Sequence, residues 1–233
     1  SAHAYVTYGS LLGSIFNDYS LGYKFGILSL NLNKKFNDKI LASKINFIFG
    51  ALINHWTQPA RTSLKYFVEG YKYGVQFGDY TYSGYSALYF IIFQFYLGNP
   101  IPEVVNTIEK YSSFLKSAKD ESVIWSVKLI EDYYSILIGT FKEFDHTLYI
   151  EKIKYIQVQV TWAQYLLFNM QINFLFGDYK KAIKFGNDAY KLKDALLGLI
   201  YSIELIFYHS VSISNYLSSS ETIKDSKTYL KQL

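Results

Sequence analysis

Phe176-Gly177-Asp178-Tyr179-Lys180-Lys181-Ala182-Ile183 stands between two apolar runs of helical length. It reads as the turn and second-helix start of a helical hairpin. Echoes occur at Phe16-Asn17-Asp18-Tyr19 and Phe77-Gly78-Asp79-Tyr80, each again between aromatic and aliphatic stretches, so the sequence predicts repeated helical pairs. Stacked pairs build extended surfaces and leave function to side chains displayed on them.

Composition agrees with a folded helical chain. Half of the 233 residues are hydrophobic, enough for a continuous core. The 24 Tyr and 18 Phe suit many half-buried layers, because a buried tyrosine ring must still bring its hydroxyl to water or a partner. With 3 Pro, 14 Gly and no Ser/Gly linker, nothing marks an internal domain boundary. Cysteine is absent, which excludes a disulfide framework, thiolate metal binding and a cysteine nucleophile. The net charge is +4, but Arg61 is the lone arginine, and its scarcity argues against nucleic-acid binding through bidentate base and phosphate contacts.

Two windows, Tyr80 to Pro102 and Tyr155 to Gly177, are long and uncharged. The second carries Gln157, Gln159, Gln164, Asn169, Gln171 and Asn173, and the first is interrupted by Gln94, so both read as buried helices, not membrane spans. The chain opens Ser1-Ala2-His3-Ala4, without a basic region or a cleavage-type apolar run, and is read as a piece of something longer.

Helical periodicity places Tyr5, Tyr8, Leu11, Leu12 and Ile15 on one stripe, and Leu21, Phe25, Leu28 and Leu32 on one face of a helix from Tyr19 to Lys35. A second pair comprises Lys39 to Trp56, with Ile45, Ile48, Phe49, Leu52 and Ile53 inward, and a helix entered at Pro59 that runs to Phe77. Thr81 to Leu97 and Pro102 to Ala118 flank the turn Gly98-Asn99-Pro100-Ile101-Pro102. Asp120 to Ile138 pairs with an irregular stretch from Thr140 to Lys154, and Gln157 to Phe176 pairs with Tyr179 to Leu192. Ala195 to Tyr216 opens a sixth pair, with Thr222 to Leu233 as its return helix. The turns recur about every forty residues, longer than the 34 of a strict tetratricopeptide repeat. The Gly78 phrase falls between pairs and the Gly177 phrase within one, so either the pairing shifts phase or the phrase marks any tight helix–helix turn.

Candidate sites are few. Gly70, Gly74 and Gly78, and Gly22 and Gly26, lie along helix sides without a strand-turn-helix phosphate motif, which points to close helix packing. Among His3, His55, His146 and His209, only His146 has near carboxylates, Glu143 and Asp145, too few for a metal. Glu131 and Asp132 are adjacent and point to different parts of a helix surface, so they make no acid/base pair. Asp120 and Glu121 read as helix-start charges. No Gly-x-Ser-x-Gly elbow is present. Tyr66, Tyr71, Tyr73, Tyr80, Tyr82, Tyr85, Tyr89 and Tyr96 crowd one region. Most are expected to pack between helices, but Tyr85 and Tyr89, with the ring pair His55-Trp56, are the candidate lining of a peptide groove.

On Tyr8-Gly9, Gly22-Tyr23-Lys24-Phe25-Gly26, His55-Trp56, Gly84-Tyr85-Ser86-Ala87-Leu88 and Phe176-Gly177-Asp178-Tyr179, in matching order, the chain resembles the helical-repeat region of very large multidomain signalling proteins. Those proteins join a serine/threonine kinase-like domain, an AAA-type ATPase domain, a tetratricopeptide-like region, a GAF domain and a histidine kinase. No phosphate loop, kinase catalytic loop or phosphoacceptor motif lies within this chain, so the resemblance places catalysis elsewhere. The expectation is an all-α, tetratricopeptide-like α-hairpin solenoid, a right-handed superhelix of about five to six helix pairs, as a single domain over 1–233. Its expected role is a non-catalytic scaffold of a multidomain signalling kinase, holding protein partners or neighbouring domains. A stand-alone peptide-binding adaptor is the alternative, and an enzyme domain with a cryptic site a third reading. The expectation includes no cofactor, metal, nucleic acid or membrane insertion, and a cytoplasmic location.

Overall fold

The computed structural model describes residues 1–117, 119–141 and 143–219. The expected return helix from Thr222 to Leu233 lies outside them. The described residues form eleven α-helices and no strand: α1 Ala2–Ser14, α2 Tyr19–Phe36, α3 Lys39–Ile48, α4 Leu64–Phe77, α5 Tyr80–Tyr96, α6 Ile101–Ser117, α7 Glu121–Leu137, α8 His146–Ile156, α9 Gln159–Leu175, α10 Tyr179–Tyr190 and α11 Tyr201–Ser219. A π-helical turn, Phe49–Ile53, and a 3₁₀ turn, Asn54–Trp56, extend α3, which is why one long helix was expected there. Contacts divide the chain into two compact units, Ser1–Val127 with Gly198–Ile200, and Lys128–Leu197 with Tyr201 onward. The division falls within α7, where no linker composition could mark it.

Five of the turns share one device. Asn17, Asn37, Gly78, Lys119 and Gly177 have positive φ, and each is followed by an aspartate. The left-handed residue ends one helix and lets its last carbonyls be satisfied, as where Asp178 N–H donates to Asn173 O at 2.8 Å. The aspartate then starts the next helix by accepting an otherwise orphaned N–H. Asp18 accepts from Leu21 and Asp38 from Leu41, both at 3.0 Å, Asp79 from Tyr82 at 3.2 Å and Asp178 from Lys181 at 3.1 Å. Asp120 accepts from Ser122 and Val123, and Asp145 caps α8 through Leu148. The phrase therefore marks tight turns both within and between the expected pairs, while the Gln157-Val158 turn before α9 and the Gly98-Asn99-Pro100 turn before α6 do without the aspartate.

Such short turns fold each helix back on its neighbour, and in the first unit small residues line the seam. A Cβ at Gly9 would lie 2.6 Å from Gly22 O, and one at Gly22 equally 2.6 Å from Gly9 O. The α1 and α2 backbones thus meet directly, and Val6, Leu12 and Gly13 share the buried side. This reverses much of the expected stripe: Tyr5, Tyr8, Leu11 and Ile15 are exposed, as are Leu21 and Leu28 on α2. Bulk cannot enter an interface at backbone contact distance, so the aromatic and aliphatic residues turn outward. The second seam is similar. Ser43 on α3 donates to Gly70 O of α4 at 2.8 Å, and a Cβ at Gly70 would fall 2.5 Å from Ser86 Oγ of α5.

The core of the first unit gathers Val6, Ile45, Ile48, Phe49 and Ile53. Four of these belong to the expected inward face of the second long helix, as does Leu52 packed against them. In the second unit α9 is the central element, burying Leu166, Leu167, Phe168 and Met170 together with Gln164, Asn169 and Gln171. Asn169 donates to Tyr165 O at 2.9 Å and Gln171 Nε2 to Glu204 of α11 at 3.0 Å, while Gln171 Oε1 is buried without a hydrogen-bond partner among the described residues. Among the described residues, no helix is long and apolar enough to cross a membrane.

Gly22→Ala should destabilise the first unit by about 1–3 kcal/mol, because its Cβ must displace backbone. Gly177→Ala, where the space is open but φ is 82°, should cost about 1 kcal/mol. Urea denaturation of the two variants distinguishes a steric seam from a conformational turn.

Candidate functional site

In the first unit, the C-terminal turn of α2, the Asn37-Asp38 turn, the start of α3 and one side of α4 enclose a cavity of about 570 Å³. Its lining is mostly polar: Asn31, Asn33 and Lys34 from α2, Asn37 from the turn, Lys39 and Asn46 from α3, and Tyr66, Glu69 and Tyr73 from α4. Asn33 Oδ1 is buried without a hydrogen-bond partner among the described residues. Asn46 spends its amide on the Ala42 carbonyl at 2.8 Å. Lys39 Nζ lies 5.5 Å from the Tyr73 ring centre. Glu69 makes an exposed pair with Lys72 at 3.5 Å. Carboxamides offer both donor and acceptor without charge, matching the N–H and C=O groups of an extended peptide.

The expected groove residues lie elsewhere in this unit. Tyr85 and Tyr89 are brought together around Phe47, at ring separations of 5.5 and 5.2 Å, with Tyr82 at 5.7 Å. Tyr89 is only 7% exposed, and burial pushes its hydroxyl well above the usual tyrosine range. Tyr85 is half-buried, with the Asp120 carboxylate near its hydroxyl. Burial and then that carboxylate push it upward. His55 packs between Trp56 at 4.9 Å and Phe93 at 5.5 Å. Trp56 stacks on Tyr19 at 5.3 Å and donates Nε1–H to Gly198 O at 2.9 Å. Phe67, 4.9 Å from Phe93 and 6.1 Å from Tyr89, joins the two sets. The four residues thus belong to one aromatic chain through the packing, and none of them lines the cavity.

Of the tyrosine cluster, only Tyr66 and Tyr73 reach the cavity wall. Tyr71 packs on Tyr111 and Phe114. Sequence reading passed over the asparagines, although Leu30-Asn31-Leu32-Asn33 shows amides interrupting an apolar face.

In the second unit, buried Asp132 accepts from Tyr149 at 2.6 Å and from Lys128 at 2.5 Å, while His146 Nδ1 meets the Tyr165 hydroxyl at 2.6 Å. These bonds tie α7 to α8 and α8 to α9. Half-buried Glu204 is pushed up to about 6 by burial, with the Gln171 hydrogen bond opposing. Among the described residues, no three His, Cys, Asp or Glu side chains gather as a metal site.

No protein-family model matches the chain. It is 22% identical over 142 residues to hybrid signal transduction histidine kinase G of Dictyostelium discoideum, a match that covers 60% of this chain and 4% of that protein. The similarity is weak and spans a small part of a signalling protein.

Tyr89→Ala should cost about 3–5 kcal/mol in urea denaturation, as for a buried aromatic, and Tyr85→Ala distinctly less. His55 supplies a pH test. Burial lowers its pKa from 6.5 to about 4, with the Gly50 backbone opposing. The unfolded chain therefore binds the proton first: the stabilisation is whole above about 6.5 and is lost as pH falls towards 4. Relative to His55→Phe, the wild-type chain should lose stability on the order of 3 kcal/mol across that window, read as a shift in the urea midpoint.

Proposed function

We propose that this chain is a non-catalytic, tetratricopeptide-like helical-repeat segment of a multidomain signalling kinase, acting in the cytoplasm. It holds protein partners or neighbouring domains of its own chain, and kinase and ATPase chemistry resides in other domains. The carrying observation is the similarity to a hybrid signal transduction histidine kinase. Aspartate-capped turns that repeatedly fold helices back on their neighbours supply the supporting architecture.

The polar cavity favours an extended peptide as what is held, since Asn33, Asn37 and Asn46 can pair with main-chain groups whatever the side chains. The same feature would serve a stand-alone peptide-binding adaptor. The reading frame around the chain separates the two: flanking kinase and ATPase motifs support the interdomain role, and a nearby start and stop codon support the adaptor.

The purified chain should release no phosphate from ATP above the buffer background, measured with magnesium present. Robust hydrolysis that copurifies with the chain would contradict the assignment.

A further inference from the structure

Tyr5, Tyr8, Leu11 and Ile15 of α1 recur at the spacing of a core-facing stripe, yet all four are exposed, Tyr8 by 48% and Ile15 by 55%. On α2, the stripe of Leu21, Phe25, Leu28 and Leu32 is likewise uncovered, with Leu21 and Leu28 exposed and Phe25 and Leu32 half-buried. Phe25 joins the two stripes, its ring 6.0 Å from that of Tyr5 and 5.0 Å from that of Tyr8. The hairpin thus carries one continuous aromatic and aliphatic face.

Packing within the chain does not use this face. The hairpin meets the core of its unit through other residues, Ala2, Val6, Tyr23, Ile27 and Leu30. None of the eight side chains lines the polar cavity. They leave roughly 600 Å² exposed, most of the ~800 Å² that a standard interface takes from each partner. Contiguous apolar patches of that size on a monomer mark interaction surfaces.

We propose that this face is the interface of a symmetric dimer, in which α1 and α2 of one copy cover α2 and α1 of a second. A two-fold interface presents the same patch from both sides, so the patch must complement itself. An apolar face meets that condition, whereas one carrying charge of a single sign repels its copy. α1 has no Lys, Arg, Asp or Glu at all, and Lys24 of α2 is exposed, so its ammonium stays in water at the edge. The two helices run antiparallel with their backbones in contact, so a copy turned by half a revolution lays its α2 on α1 and its α1 on α2. Pairing of copies is separate from what the polar cavity holds.

Sedimentation equilibrium of the whole chain at about 100 µM tests this. The unchanged chain should give twice its mass of 27.0 kDa. Tyr8→Ala should raise the dimer dissociation constant about tenfold. Tyr8→Lys combined with Leu28→Lys should give a monomer with unchanged helical circular dichroism, and Phe207→Lys, at an exposed position of α11, should leave the dimer intact. A monomeric unchanged chain, an open series of larger oligomers, or a dimer that survives the double lysine variant overturns the proposal. If the double variant fails to fold, Tyr8→Ala decides the location, and an unchanged dissociation constant overturns it.

Discussion

Reversing a helix within two to four residues leaves the carbonyls of one end and the N–H groups of the next start without partners at nearly the same place. The left-handed residue followed by aspartate satisfies both, and the structure uses it at Asn17-Asp18, Asn37-Asp38, Gly78-Asp79, Lys119-Asp120 and Gly177-Asp178. Much else follows from that economy of chain. Helices joined so tightly lie against each other, as α1 with α2 and α4 with α5 do through glycine and serine, and α3 meets α4 through the same residue types across the longer connection 49–63. With bulk excluded from the seams, the aromatic side chains pack around and beyond them, as Phe47 does with three tyrosines of α5.

Helix positions were legible because apolar spacing and turn residues report on local backbone. The sequence phrase at Gly177 even named the turn chemistry that recurs through the chain. Which side of each helix faces inward was less legible in the first pair. Periodicity weights large apolar residues, so it selected Tyr5, Tyr8, Leu11 and Ile15, whereas the interface is set by Gly9 and Gly22. The glycine spacing at Gly70 and Gly74 did announce close packing, but Gly78 serves the turn instead. The crowding of tyrosines was visible, yet the difference between packed Tyr89 and cavity-lining Tyr66 depends on contacts with α3, distant in sequence. His209 gave no sequence signal at all, since its unpaired nitrogen is defined only by the packing of α10 against α11.

The two cavities differ in chemistry. Carboxamides and charged side chains line the one in the first unit, which suits a polar chain. Leu196, Leu205 and Ile206 share the walls of the one in the second unit, between α10 and α11, with Lys193, Asp194, Ser202 and His209. The similarity to a signalling histidine kinase bears on where such a segment works. What it holds is a property of these surfaces.

Amide hydrogen exchange at Leu21, Leu41, Tyr82 and Lys181 tests the capped-turn architecture most directly, because each of these N–H groups is bonded to an aspartate carboxylate. At neutral pH they should exchange more slowly than the uncapped first-turn amides of the same helices, by about tenfold or more. Exchange at the rate of an unstructured chain, with the helix centres still protected, would contradict the account.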